Sequence, residues 1–195
     1  MRIYEASEVN NLSKWALKEE ISTLPPRAPP QYSGDSSFTF AWCPSRIGGQ
    51  QLVVAANNFV YLYRPDERGQ WQVAELVQDD GGLIRCVTWA PGGQRGFELI
   101  ATGSKAGLVR IYKLSESSEG MIVGGGGYAV QMLGQFEHHG ETFNQVQSLS
   151  WNVTGTMLSS SGDDGRIRIW KEDHLGKWRQ HFILSTERYG LARFN

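Results

Sequence analysis

Few residues in this chain could do chemistry. They are adjacent carboxylates at Asp163-Asp164, adjacent imidazoles at His138-His139, thiols at Cys43 and Cys86, and a glycine run at Gly124–Gly127. Two close carboxylates can divide acid and base roles. Here they stand in Gly-Asp-Asp-Gly, the composition of a tight hairpin turn, which accounts for them without catalysis. Paired histidines need further ligands to enclose a metal, and no Cys, Asp or Glu stands at a ligand spacing nearby. The glycine run leads to neither Lys-Ser/Thr nor a helix start, so it reads as an insertion and not a phosphate cradle. There is no Gly-x-Ser-x-Gly elbow and no Ser/His/Asp arrangement. The expectation is a chain without catalytic, cofactor-binding or metal-binding residues.

The elements around these residues are strands. Val146–Trp151 is the first strand and Asn152–Gly155 its turn. Met157–Ser161 follows, then the Asp164-Gly165 turn, then Arg166–Trp170, with a fourth strand from Trp178. Four short antiparallel strands form one blade of a propeller. An Asp-Gly step followed by alternating apolar residues and a closing Trp is the signature of a WD-repeat blade. The pattern recurs: Trp42, Trp89 and Trp151 each end a first strand, and Tyr4, Tyr63, Tyr112 and Trp170 each end a third. Trp42 to Trp89 is 47 positions (89 − 42), close to the about 40–45 of a blade. Trp89 to Trp151 is 62 (151 − 89), lengthened by a Gly/Ser-rich insertion at 115–127.

The fold class is therefore all-β: a partial WD-repeat propeller of about three complete blades plus the remnant of a preceding one. Residues 1–22 form the remnant, in which Trp15–Ile21 passes as an outer strand or a short helix. A Pro-rich loop covers 23–37, blades cover 38–80, 84–136 and 146–184, and a tail covers 185–195. In a WD blade a turn Asp, a His between blades, a second-strand Ser or Thr and the third-strand Trp form a hydrogen-bonded chain. His139, Asp164, Gly165 and Trp170 are the candidates for this structural site. Gly162 stands where the hydroxyl is expected, so the chain should be incomplete. Trp42, Trp89, Trp151, Tyr63 and Tyr112 are the expected aromatic cores of the blades.

Composition narrows the class of function. Seven Trp and 23 Gly among 195 residues suit aromatic-packed strands joined by tight turns. A formal net charge of -1, with the signs interspersed, argues against a broad electrostatic footprint for nucleic acid. No apolar run is long enough for a membrane helix, and the first residues lack a signal-peptide core. Cys43 and Cys86 sit inside apolar runs and read as buried reduced thiols. Asn11-Leu12-Ser13 and Asn152-Val153-Thr154 match the glycosylation pattern by chance on this reading.

Three segments are similar to the Seh-type nucleoporins, the small propellers of the nuclear pore's Y-shaped scaffold. They are RIYEASEVNNLSKWALKEEI within Met1–Ile21, VTWAPGGQRGFELIAT at Val87–Thr102, and SWNVTGTMLSSSGDDGRIRIWKEDHLGKW at Ser150–Trp178. The resemblance implies a non-enzymatic scaffold at the nuclear envelope, serving mRNA export and protein import through protein contacts. It also implies an open propeller completed by a segment of an α-solenoid nucleoporin, with 146–184 as the last blade beside the gap. Neither direct nucleic-acid binding nor membrane insertion is implied. A second role in a TOR-regulating nutrient-sensing complex, cytoplasmic or at the lysosomal membrane, comes with the family. The COPII-type coat propeller and a generic WD adaptor, such as a ubiquitin-ligase substrate receptor, are the alternatives. The family has more than two blades before the RIYE strand, and this chain has none of them. Three blades and a remnant cannot close a ring, so strands 38–42 and 146–151 should face solvent as apolar patches. The chain alone should then be poorly soluble or oligomeric.

Overall fold

The computed structural model describes residues 1–8, 11–21, 36–44, 50–78, 82–92, 96–116, 128–137 and 144–185. Every regular element among them is a strand. The Pro-rich loop apart from Ser36 and Ser37, the Gly124–Gly127 run, His138 and His139, and the tail from 186 onward lie outside the described residues. The chain divides into two compact units, Met1–Asp35 and Ser36–Asn195.

The first unit is a hairpin of β1 (Arg2–Glu8) and β2 (Asn11–Glu20). The segment whose period fitted a strand or a helix is therefore a strand. Cross-strand pairing decides between them, because Tyr4 lies opposite Leu17 and Ala6 opposite Trp15, which puts the larger side chains on one face. The backbone ladder is closed by Ile21 N–H donating to Met1 O at 2.8 Å, and by the terminal ammonium donating to Ile21 O at 2.7 Å.

The second unit is three four-stranded antiparallel sheets in sequence order. The first holds β3 (Phe38–Trp42), β4 (Leu52–Ala56), β5 (Phe59–Pro65) and β6 (Trp71–Gln78). The second holds β7 (Ile84–Trp89), β8 (Glu98–Ser104), β9 (Leu108–Glu116) and β10 (Tyr128–Glu137). The third holds β11 (Val146–Trp151), β12 (Met157–Gly162), β13 (Arg166–Glu172) and β14 (Trp178–Ser185). The sharp turns need a left-handed residue, supplied by Asn57 (φ 58°) in the first sheet and Gly165 (φ 66°) in the third. Strand β9 runs two residues into the expected insertion, because Glu116 pairs with Tyr128 and Ser115 with Ala129.

The sheets stack face to face. Val53, Ala55, Val60 and Leu62 of the first share a core with Ile84, Val87, Trp89 and Tyr112 of the second. Ala101, Val109 and Ile111 of the second share another with Val146, Leu149, Leu158 and Trp170 of the third. The second seam is close because β8 carries Gly103: a Cβ there would sit 2.5 Å from Val146 Cγ1 and 2.7 Å from Cys86 Sγ. Backbone also crosses the first seam, where Ile84 N–H donates to Asn57 O at 2.7 Å.

The expected bare strands differ. On β3, Phe38, Phe40 and Trp42 are 50%, 53% and 46% exposed, an apolar row. On β11 the exposed residues are Gln147, Ser148 and Ser150, so no apolar patch forms there. Its Val146 and Leu149 point into the seam with the second sheet, which leaves hydroxyls on the outer side.

Because the seam has no space for a methyl group, Gly103→Ala should destabilise the chain by about 1–3 kcal/mol through overpacking. Exposed Ala129→Ser should change stability by less than about 0.5 kcal/mol. The shift in urea midpoint of the two variants checks this.

Candidate functional site

Trp170, on β13, is 2% exposed and its indole Nε1–H donates to Ser160 Oγ at 2.8 Å. Antiparallel register sets this up: Leu158 lies opposite Trp170 and Ser160 opposite Arg168, so Ser160 and Trp170 are diagonal neighbours on one face. Phe136 of β10 stacks on the indole at 4.5 Å, tying the second sheet to the third. Asp164 Oδ1 accepts from Arg166 N–H at 3.1 Å, and Oδ2 meets Arg168 Nη2 at 2.6 Å. Gly165 N–H donates to Gly162 O at 3.2 Å and closes the turn. The hydroxyl expected at position 162 thus comes from Ser160. Position 162 lies at the mouth of the turn, where its backbone carbonyl is the group in use. His139 lies outside the described residues.

Arg168 is the member of this cluster that the motif did not predict. Its side chain is 2% exposed and that of Asp164 10%, so the two charges are buried as a pair. Such a pair is costly to break from one side. A repeat carries the signal for it. Arg2-Ile3-Tyr4, Arg110-Ile111-Tyr112 and Arg168-Ile169-Trp170 place an arginine two residues before the closing aromatic. Arg110 is 4% exposed and its Nε donates to Gln135 Oε1 at 2.7 Å.

Of the aromatics expected as blade cores, Trp42 is not one: it stands on the outward face of β3, outside both cores, where alternation along the strand exposes it with Phe38 and Phe40. Trp42 meets Trp71 edge-on at 6.1 Å, and Trp151 meets Trp178 edge-on at 5.5 Å. Trp89 Nε1–H donates to Glu98 Oε2 at 3.0 Å. Tyr63 and Tyr112 are buried, and burial raises the Tyr63 hydroxyl pKa. A second repeat underlies the two tryptophan pairs: Asp66-x-x-Gly69-x-Trp71 and Asp173-x-x-Gly176-x-Trp178. Asp66 Oδ1 accepts from the backbone N–H of Arg68 and Gln70, and Asp173 Oδ1 from those of Leu175 and Lys177. Backbone donation, chiefly from Gln70 and Lys177, holds both carboxyls below the usual range. Gly69 and Gly176 take φ 78° and 76° there.

The reactive groups are engaged in structure. Cys43 and Cys86 are not joined in a disulfide. Burial pushes the Cys86 thiol up to about 12, against the smaller opposing effect of Gly103 O. The Asn152 carboxamide clamps its own turn: Oδ1 accepts from Thr156 and Met157 N–H, and Nδ2 donates to Thr154 Oγ1 at 2.8 Å. Among the described residues no group of three or more His, Cys, Asp or Glu is placed to hold a metal ion. No helix among them is long and apolar enough to cross a membrane. A cleft of about 550 Å³ runs between β10 and β14 over Phe136, Trp170 and Trp178. Its Arg179 is held by Asp173 at 2.7 Å, and the floor tryptophans are almost wholly covered. The arrangement fixes sheets and turns, and among the described residues it leaves apolar side chains exposed on β3 (Phe38, Phe40, Trp42) and on the outer face of the third sheet. There Ile167, Phe182 and Leu184 are 37%, 48% and 53% exposed.

Two measurements check these roles. Ser160→Ala should cost about 1–3 kcal/mol by stranding the buried indole N–H, and Trp170→Ala about 3–5 kcal/mol. The double variant should cost less than the sum, since the two groups share one bond. At pH 8 the Cys86 thiolate fraction is on the order of a thousandfold below that of an unfolded-chain cysteine. Its alkylation by iodoacetamide should be slower in the folded chain by that order. The raised pKa also stabilises the fold fully below the unfolded value, about 8.5. That contribution should be lost progressively as pH rises toward about 12.

The family model described as "WD domain, G-beta repeat" matches residues 71–113 and 130–171. Each match starts on or just inside the outer strand of one sheet and ends on the third strand of the next. The sequence repeat is thus offset by one strand from the structural blade. The chain is 34% identical over 203 residues to nucleoporin seh1 of Schizosaccharomyces pombe, covering 96% of this chain and 58% of that protein. It is 30% identical over 220 residues to nucleoporin SEH1 of Saccharomyces cerevisiae, covering 96% of this chain and 62% of that protein. With human nucleoporin SEH1 the identity is 30% over 197 residues, 94% of this chain and 50% of the relative. The chain therefore spans about half to three-fifths of the length of these relatives. With its repeats, its three stacked sheets and a match running over nearly all its residues, the chain is a WD-repeat protein homologous to the Seh1-type nucleoporins.

Proposed function

We propose that this chain is a non-enzymatic scaffold component of the nuclear pore complex. It acts at the nuclear envelope in nucleocytoplasmic transport, including mRNA export and protein import, through protein–protein contacts. The observation that carries this reading is the similarity to nucleoporins over 94–96% of the chain. A match confined to the two WD repeats would have pointed to any propeller. The site chemistry is in keeping with it, since the Asp66, Asp164 and Asp173 carboxylates, the Trp170 indole and the Cys86 thiol serve turns and cores. The partner is an α-solenoid nucleoporin that supplies a strand-rich segment beside the third sheet.

The experiment is purification of the endogenous protein through a small tag, with identification of co-purifying chains and imaging of its location. Stoichiometric nucleoporins and a rim at the nuclear envelope are expected. Recovery with vesicle-coat proteins and signal at budding sites would overturn the proposal in favour of the coat-type propeller.

A further inference from the structure

Six lysines stand in the chain, and one of them, Lys18, lies in an apolar-Lys-x-Glu stretch, Leu17-Lys18-Glu19-Glu20. Enzymes that conjugate small ubiquitin-like modifiers read that pattern from an extended segment. The apolar residue packs on the enzyme, the lysine stem reaches the thioester, and the carboxylate two residues on meets basic and hydrogen-bonding groups. Strand β2 presents the stretch in this form. It is paired along one edge only, with β1, in a two-stranded sheet. Leu17 is 51% exposed, and the side chains of Lys18 and Glu20 are 43% and 60% exposed.

The ladder singles out the lysine itself. Tyr4 pairs with Leu17 and Ile3 with Glu19, so Lys18 is the extra residue of a β-bulge. A bulge interrupts pairing and re-aims the side chain it carries. The second and third sheets bulge at the same place beside the closing aromatic, at Leu133 and His181. Leu133 packs against the core between those sheets, whereas Lys18 is open to solvent. Lys18 Nζ lies 2.9 Å from Glu5 Oε2, and Arg2 Nε donates to Glu20 Oε1 at 3.1 Å. Water screens both pairs, so they yield readily to an enzyme surface. Trp170-Lys171-Glu172-Asp173 comes nearest to the pattern among the other lysines, and the fold excludes it. Trp170 is buried against Phe136, and β13 is paired on both edges, with β12 and β14.

We propose that Lys18 is a conjugation site for a small ubiquitin-like modifier, selected by Leu17 and Glu20. The Lys18 ammonium gives one proton to solvent, and the free amine attacks the modifier's C-terminal carbonyl. That carbonyl is carried as a thioester on the conjugating enzyme's cysteine. An isopeptide bond forms, the carbon–sulfur bond breaks, and the cysteine leaves as a thiol with the amine's surplus proton. The product replaces a cation on the edge of β2 with a neutral amide that bears a folded domain. The inference goes beyond the pore reading and does not depend on it.

The test expresses the full chain in cells with a tagged small ubiquitin-like modifier. The chain is recovered under denaturing conditions and its adducts are mapped by mass spectrometry. One adduct, at Lys18, is expected. Lys18→Arg keeps the charge that faces Glu5 and should abolish the adduct while the soluble yield of the chain matches the parent's. Glu20→Gln leaves the acceptor lysine in place and should cut the adduct at least tenfold. Lys171→Arg should leave it unchanged. An adduct that survives Lys18→Arg, or one indifferent to Glu20→Gln, would overturn the inference. So would no adduct in cells where an unrelated substrate is conjugated, or ubiquitin as the sole adduct at Lys18.

Discussion

A four-stranded sheet with two apolar faces is not stable alone, and the rest of the structure follows from covering those faces. Strand β4 shows the demand directly, for all five of its residues are buried. The seam between the second and third sheets shows how tightly it is met. Gly103 lets the backbone of one sheet approach Val146 of the next with no room for a methyl group. Close packing of this kind transmits any change in side-chain volume across the seam. It also fixes which side chains of each sheet point inward, and therefore which are left over at the outer face of the third.

Against that constraint the polar chemistry has a uniform role. Asp66 and Asp173 clamp matching turns with their carboxylates, and Asn152 does the same with a carboxamide. Asp164 lies deeper and neutralises Arg168, while Ser160 receives the indole proton of Trp170. Asp164 and Ser160 are used where a guanidinium and an indole would otherwise be stranded in a dry interior, whereas the Asp66 and Asp173 clamps fix exposed turns.

The strands, the turns and the aromatic blade ends were legible because each depends on local physics. Alternation along a strand, a left-handed residue at Asn57 or Gly165, and recurring Trp and Tyr positions are all properties of short stretches. Trp15–Ile21 was ambiguous for the same reason: its period alone decides nothing, and the ladder with β1 settles it. The source of the hydroxyl for Trp170 was misplaced because distance along the chain says little about diagonal neighbours across two strands. The buried arginine was overlooked since arginine is ordinarily a surface residue. Its repetition before Tyr112 and Trp170 was the available clue.

By itself, then, the amino-acid sequence determined that this chain is all-β, built of repeating four-stranded units closed by aromatic residues, with a near-neutral charge. Periodicity and turn chemistry are encoded residue by residue, so they survive without a partner strand in view. Only the tertiary structure decided which face of each sheet is covered. A strand at 146–151 that reads as buried-type keeps Val146 and Leu149 in the seam and turns serines outward. That choice belongs to the register between strands and the stacking between sheets. Both are non-local, and no stretch of the chain carries either alone.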